Sequence, residues 1–153
     1  LEFRAAIGVA EMEWNGMAIN RENLQAWAQT LRDQKARLEP EIQALFQQSD
    51  VIQPSLLGDN PPAINLESSK QLLPALQQLG IPVTNTRKET LIPLQEQYPV
   101  VAKLLEYRRT TKALSTYAEG YEKLIHPATG RLHPHINQCG AVTGRFSCTS
   151  PNL

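Results

Sequence analysis

The sequence predicts a mainly α fold with a small β part: a long antiparallel helical hairpin with short tip helices, then the first β-strands of an α+β region. Three observations predict it. Residues 19–48 and 98–125 each repeat apolar side chains at three- and four-residue steps, the signature of an amphipathic helix. Between them, residues 51–65 are rich in Pro, Gly and Asn and read as a flexible loop, followed by a capped helical stretch. After residue 125 the pattern changes to turn triplets and short alternation, as in small strands.

Residues 1–20 form a lead-in that ends in an Asn15-Gly16 turn, and Asn20 is a fair N-cap for the first long helix. Leu24, Trp27, Leu31, Leu38, Ile42 and Leu45 mark its apolar stripe, with one step unfilled between Leu31 and Leu38. Pro40 lies inside the pattern and costs about 3 kcal/mol as an interior helix residue. Because Leu38 and Ile42 keep phase across it, a kink is expected rather than a break. Ser68 and Gln71 have the spacing of a capping box, and Gly80 suits the C-terminal cap of a short helix strained at Pro74.

The second long helix is the strongest element. Val100, Leu104, Tyr107, Thr111, Leu114, Ala118, Tyr121 and Ile125 line one face, which is expected to pack antiparallel on the first helix. A neighbouring row runs Val101, Leu105, Arg108, Lys112, Ser115, Glu119, and turns from apolar residues into hydrogen-bonding ones. By itself such a row suits a solvated face better than a phosphate backbone, and the helix alone does not decide between them.

At 153 residues, with 41% apolar and 20% charged residues, the composition is that of an ordinary soluble domain with one modest core. No apolar run approaches the roughly 18 residues of a membrane span. Glu2, Glu11 and Glu13 do not fit a secretory leader, so a cytoplasmic, intracellular chain cut from something longer is expected, with Cys139 and Cys148 as free thiols. The zero net charge hides a gradient. Residues 1–50 hold five Lys/Arg against eight Asp/Glu, and residues 103–153 hold seven against three. No carboxylate side chain follows Glu122, so this end suits a polyanion and offers no Asp or Glu to a catalytic metal.

Other chemistries fail on spacing. His133, His135, Cys139 and Cys148 match no standard zinc ligand set. Ser147 lacks the Gly-x-Ser-x-Gly elbow and a third partner for a hydrolase triad, and the phosphate-loop and dinucleotide fingerprints are absent.

The stretch TGRFSCTSPNL, residues 143–153, resembles the Thr-Gly-Arg-x-Ser-Ser-x-x-Pro-Asn-Leu-Gln motif of the family A DNA polymerases, the DNA polymerase I group. The likeness continues upstream in the family's order. LEYRRTTKALSTYAEGYEKLIHPATGRLHPHINQ resembles its Glu-Tyr-Arg, Lys and Ser-Thr-Tyr helix and Thr-Gly-Arg-x-His strand. INLESSKQLLPALQQLGIP resembles its thumb-tip helix, and VAEMEWNGMAIN the segment leading into the thumb. This resemblance implies a thumb over residues 21–125 and the start of a palm over 126–153, cut within the motif one residue before its Gln.

It further implies that Arg145 reaches the minor groove at a primer terminus, with Gln138, Thr143, Ser147 and Asn152 near it. Arg108, Lys112, Ser115 and Thr116 would hold the duplex backbone. The implied partner is primer–template duplex DNA, with dNTP bound only in the complete enzyme, no membrane and no obligate protein partner. No catalytic residue, cofactor or metal site is expected in this chain; Mg2+ is expected for the complete enzyme, held by palm carboxylates beyond residue 153. Cys148 departs from the family's second Ser and is a weaker donor, and Pro40 and Pro74 interrupt helices that are smoother in the family. Two rival readings are a nucleic-acid-binding module without a polymerase parent and a helical protein-interaction domain.

Overall fold

Asn20 starts the first long helix as its residue type indicates: in the computed structural model, which describes residues 2–47 and 63–152, its Oδ1 accepts a 2.9 Å hydrogen bond from the Asn23 amide. Helix α2 then runs unbroken over Arg21–Gln47, with Pro40 inside it. Pro40 and Ala36, whose carbonyl loses the proline's missing N–H, are both exposed, so the lost bond is not buried. Residues 51–62 of the expected flexible loop lie outside the described residues.

The remaining elements in order are α1 (Glu2–Asn15) and β1 (Met17–Ala18) ahead of α2, then α3 (Ser69–Gln78), α4 (Lys88–Leu91) and a 3-10 turn (Ile92–Leu94). They are followed by α5 (Pro99–Lys112), a π-helical segment (Ala113–Ala118), α6 (Glu119–Leu124), β2 (Arg131–Leu132), β3 (His135–Asn137) and β4 (Ser147–Thr149). The mainly α class with small antiparallel strand pairs is therefore as expected. Two compact units contain them: Leu31–Lys112, and Leu1–Thr30 together with Ala113–Leu153.

In the unit Leu31–Lys112 the helices α2 and α5 run antiparallel. Lys35 of α2 places its ammonium 5.6 Å from the Tyr107 ring centre, and Glu41, further along α2, pairs with Lys103, further back along α5. The core gathers Leu38, Ile42 and Phe46 from α2, Leu72 and Leu76 from α3, and Val101 and Leu104 from α5, all essentially without exposure. Each such side chain stabilises the fold by about 1.5–3 kcal/mol through burial. The unfilled step in the α2 stripe is Lys35, whose stem is half-buried while its charge lies over an aromatic face.

Four expectations change in detail. Trp27 is 43% exposed while Ala28 is buried, so the stripe lies one residue further round the helix and its inner edge takes the small side chain. Phe46, rather than Leu45, is the fully buried residue near the end of α2. Thr110 is buried where Thr111 was expected; Thr111 is half-buried, its hydroxyl oxygen shut off from solvent, and the buried positions step by four through Thr110, Leu114 and Ala118. Ser68 caps α3 without a side-chain bond; Gln71 instead accepts from the Asn65 amide at 2.9 Å, which fastens the chain entering the helix.

The end of α3 follows its sequence. Gly80, at φ 74°, lets its amide reach the Gln77 carbonyl at 2.9 Å and the Ile81 amide reach Leu76 at 3.1 Å. This is a Schellman cap, and Ile81 and Leu76 both enter the core.

In the other unit, β1 pairs antiparallel with β2, Met17 opposite Leu132, and β3 pairs with β4, Ile136 opposite Cys148. Gly16 makes the first pairing possible: at φ 61°, a Cβ there would sit 2.5 Å from the Leu132 carbonyl oxygen. Gly80 has a similar φ but open space around it. Gly80→Ala is expected to cost about 1 kcal/mol from the left-handed backbone alone. Gly16→Ala should cost at least about 2 kcal/mol more, since the β1–β2 contact must also open. Urea unfolding of the two variants side by side checks the difference; equal losses would contradict the steric account.

Candidate nucleic-acid interface

The C-terminal segment is held by the carbonyl end of α1. Arg131 donates from Nε to the Asn15 carbonyl at 2.6 Å and from Nη2 to the Gly16 carbonyl at 3.1 Å. These are acceptors that a helix C-terminus leaves without partners, and the guanidinium charge suits the negative end of the helix dipole. His133 adds a third bond, from Nδ1 to the Glu13 carbonyl at 2.9 Å. A carbonyl can only accept, so Nδ1 carries the proton; Nε2 faces the Thr129 hydroxyl at 2.8 Å. Both ring nitrogens are thus committed. The Glu13 carboxylate accepts from the Ile136 amide and lies 3.2 Å from His135 Nδ1.

Held in this way, β3 and β4 project a turn whose side chains are largely free. Gly144, at φ 74°, returns its amide to the Ala141 carbonyl at 3.0 Å. Val142, Thr143, Arg145 and Phe146 are all exposed around it. Gln138 and Ser147 are half-buried, and a Cβ on Gly140 would fall 2.2 Å from Ser147 Oγ, so glycine there lets the Ser147 hydroxyl keep its present position. Asn152 is exposed, and its main-chain carbonyl accepts from the Tyr121 hydroxyl at 2.8 Å. Tyr121 also meets Tyr117 edge to face at 5.7 Å. Burial, then the neighbouring Tyr117 and Cys148, hold the Tyr121 phenol above its ordinary pKa.

Of the residues singled out in the sequence, Gln138, Thr143, Arg145, Ser147 and Asn152 fall on this hairpin and the segment after it. Ser115 and Thr116 are exposed on the π-helical segment of the same unit. Arg108 and Lys112 belong to the unit Leu31–Lys112, where Lys112 is exposed. Arg108 is half-buried and donates from Nη1 to the Thr86 carbonyl, and burial lowers its guanidinium pKa. One arm of that side chain therefore serves the fold. Cys148 donates to the Pro151 carbonyl at 3.2 Å. Among the described residues no group of three or more His, Cys, Asp or Glu is placed to hold a metal, and no helix is long and apolar enough to cross a membrane.

The family model described as DNA polymerase family A matches residues 21–153. The chain belongs to this family. It is 36% identical over 155 aligned residues to the thermostable DNA polymerase I of Thermus aquaticus, an alignment that covers 95% of this chain and 17% of the relative. With the DNA polymerase I of Chloroflexus aurantiacus the identity is 33% over 154 residues, covering 95% of this chain and 15% of the relative. The chain thus spans about a sixth of the length of these curated relatives. Among solved structures it is similar to the POL domain of Pol1 from M. smegmatis in complex with DNA primer-template and dNTP. There the TM-score is 0.76 and the identity 30%, covering 95% of this chain and 24% of that one.

Sequence reasoning on this family A chain missed Arg131 and Tyr121 as structural determinants of the hairpin. Arg131 sits in a Thr-Gly-Arg triplet, but nothing local marks a partner 116 residues away. Arg131→Met, which keeps much of the stem and removes the donors, is expected to lower unfolding free energy by about 1.5–3 kcal/mol, the range for hydrogen bonds to charged groups. His135→Ala, at an exposed contact with the Glu13 carboxylate, should cost less than about 1 kcal/mol. Denaturant melts of both variants test the contrast.

Proposed function

We propose that this chain is the primer–template-gripping portion of a DNA-directed DNA polymerase, with residues 21–125 as thumb and 126–153 as the entry to the palm. The observation that carries the reading is the matched motif at 143–153, whose Thr143, Arg145 and Phe146 lie exposed on a turn, in a chain with no carboxylate side chain after Glu122. Membership of DNA polymerase family A and the likeness to a polymerase domain solved with primer-template support it.

Arg145 takes the primer terminus. Every Watson–Crick pair presents purine N3 or pyrimidine O2 acceptors in the minor groove, so a single cationic donor can register pairing geometry without preferring a sequence. Gln138, Thr143, Ser147 and Asn152 supply further polar contacts around it, and Ser115, Thr116 and Lys112 hold phosphates. Arg108 contributes with the donors not engaged by Thr86. The metal-dependent transfer step needs carboxylates, and the segment after Glu122 has none, so residues 123–153 do not fit a Mg2+ site. Nucleotide binding and transfer belong to the complete enzyme, and the 153-residue chain alone polymerises nothing. A labelled-nucleotide incorporation assay on the pure chain tests this, and any templated incorporation would refute it.

Two substitutions separate the proposed roles. Lys112→Ala should weaken duplex binding and lower the slope of log affinity against log salt by about one unit, as measured by fluorescence anisotropy across a salt series. Arg145→Ala in the complete enzyme should slow single-turnover extension more than it weakens binding, because a terminus contact aligns the reacting 3′ end. A large binding loss with unchanged extension would overturn the Arg145 assignment.

A further inference from the structure

We infer that Tyr121 is a positioning residue that sets where Asn152 meets the DNA. Tyr121 lies on α6 directly after the π-helical segment that carries Ser115 and Thr116, and its hydroxyl reaches across 31 residues of sequence to the Asn152 carbonyl. The contact uses the main chain of Asn152 and leaves the side chain exposed. A held peptide with a free carboxamide is the arrangement that orients a polar reader without consuming its donors and acceptors. The ring has its own support, edge-on to Tyr117 at 5.7 Å, so the hydroxyl is aimed by packing. Cys148, whose thiol donates to the Pro151 carbonyl, closes the same short segment from within. The geometry therefore ties the 147–152 segment to the helix that presents Ser115 and Thr116.

The consequence for DNA rests on the duplex-binding reading above; the tether itself does not. Tyr121→Phe keeps the ring and removes the donor, so folding is retained and the contact alone is lost. Hydrogen–deuterium exchange of the peptide covering residues 147–153 should speed up about threefold to tenfold in Tyr121→Phe, the range for one neutral hydrogen bond. Unchanged exchange would overturn the inference whatever the chain binds.

In anisotropy titrations with a primer–template duplex, Tyr121→Phe and Asn152→Ala should each lower affinity about threefold to tenfold. The double variant should be no weaker than the weaker single one, because the hydroxyl acts through Asn152. Losses that multiply would show that Tyr121 does not act through Asn152 and would overturn its role. Faster exchange in a chain that shows no duplex affinity would instead support the tether and defeat the duplex-binding reading.

Discussion

The carbonyl end of α1 is the anchor on which the C-terminal hairpin depends. A helix ends with carbonyls that its own backbone cannot satisfy, and here three neighbouring ones, Glu13, Asn15 and Gly16, receive donors from Arg131 and His133. The arrangement serves both sides. The helix end is capped by a cation, and β2 and β3 are fixed at the distance that lets Met17 pair with Leu132. Glu13 contributes through both its carbonyl, to His133, and its carboxylate, to the Ile136 amide and the nearby His135 ring. Without that anchor a two-stranded hairpin would be marginal, since an isolated pair of short strands buries little.

What the anchor provides is a turn with free side chains on a rigid base. Gly144 and Gly140 let the backbone bend tightly, one by its left-handed φ and the other by leaving room for Ser147. Val142 and Thr143 between them, and Arg145 just after Gly144, are exposed. On the proposed duplex-binding reading, this arrangement leaves exposed donors for phosphate and groove. Arg108 is the exception, since Thr86 engages it within its own unit.

The prolines illustrate how a helix tolerates a strong local penalty. Pro40 and Pro74 each remove one hydrogen bond, yet both lie on exposed faces while Leu38, Ile42, Leu72 and Leu76 stay buried on the opposite sides. The apolar stripe keeps its phase across each proline, and Ala36 and Lys70, the residues that lose the proline's donor, are exposed. The helix takes a π register at Ala113–Ala118, where no proline stands.

Local chemistry alone settled a good part of this molecule. Asn20 and Gly80 cap their helices as their residue types require, the two long helices lie where their periodicity predicts them with the buried face shifted by a residue at Ala28, Phe46 and Thr110, and the Thr-Gly-Arg motif points to the family that the match over residues 21–153 shows. Contacts between distant segments were decided only in three dimensions. Whether Trp27 or Ala28 faces inward depends on how much room the neighbouring elements leave, a quantity with no signature in a helical repeat. That the His133 ring meets the Glu13 carbonyl on one side and the Thr129 hydroxyl on the other was likewise not legible in the sequence. Arg131 and Tyr121 find backbone carbonyls, and every residue carries one, so no side-chain pattern could have named Asn15, Gly16 or Asn152 as the partner. Periodicity and motif are properties of neighbours along the chain; the hairpin's anchorage belongs to residues that folding alone brings together.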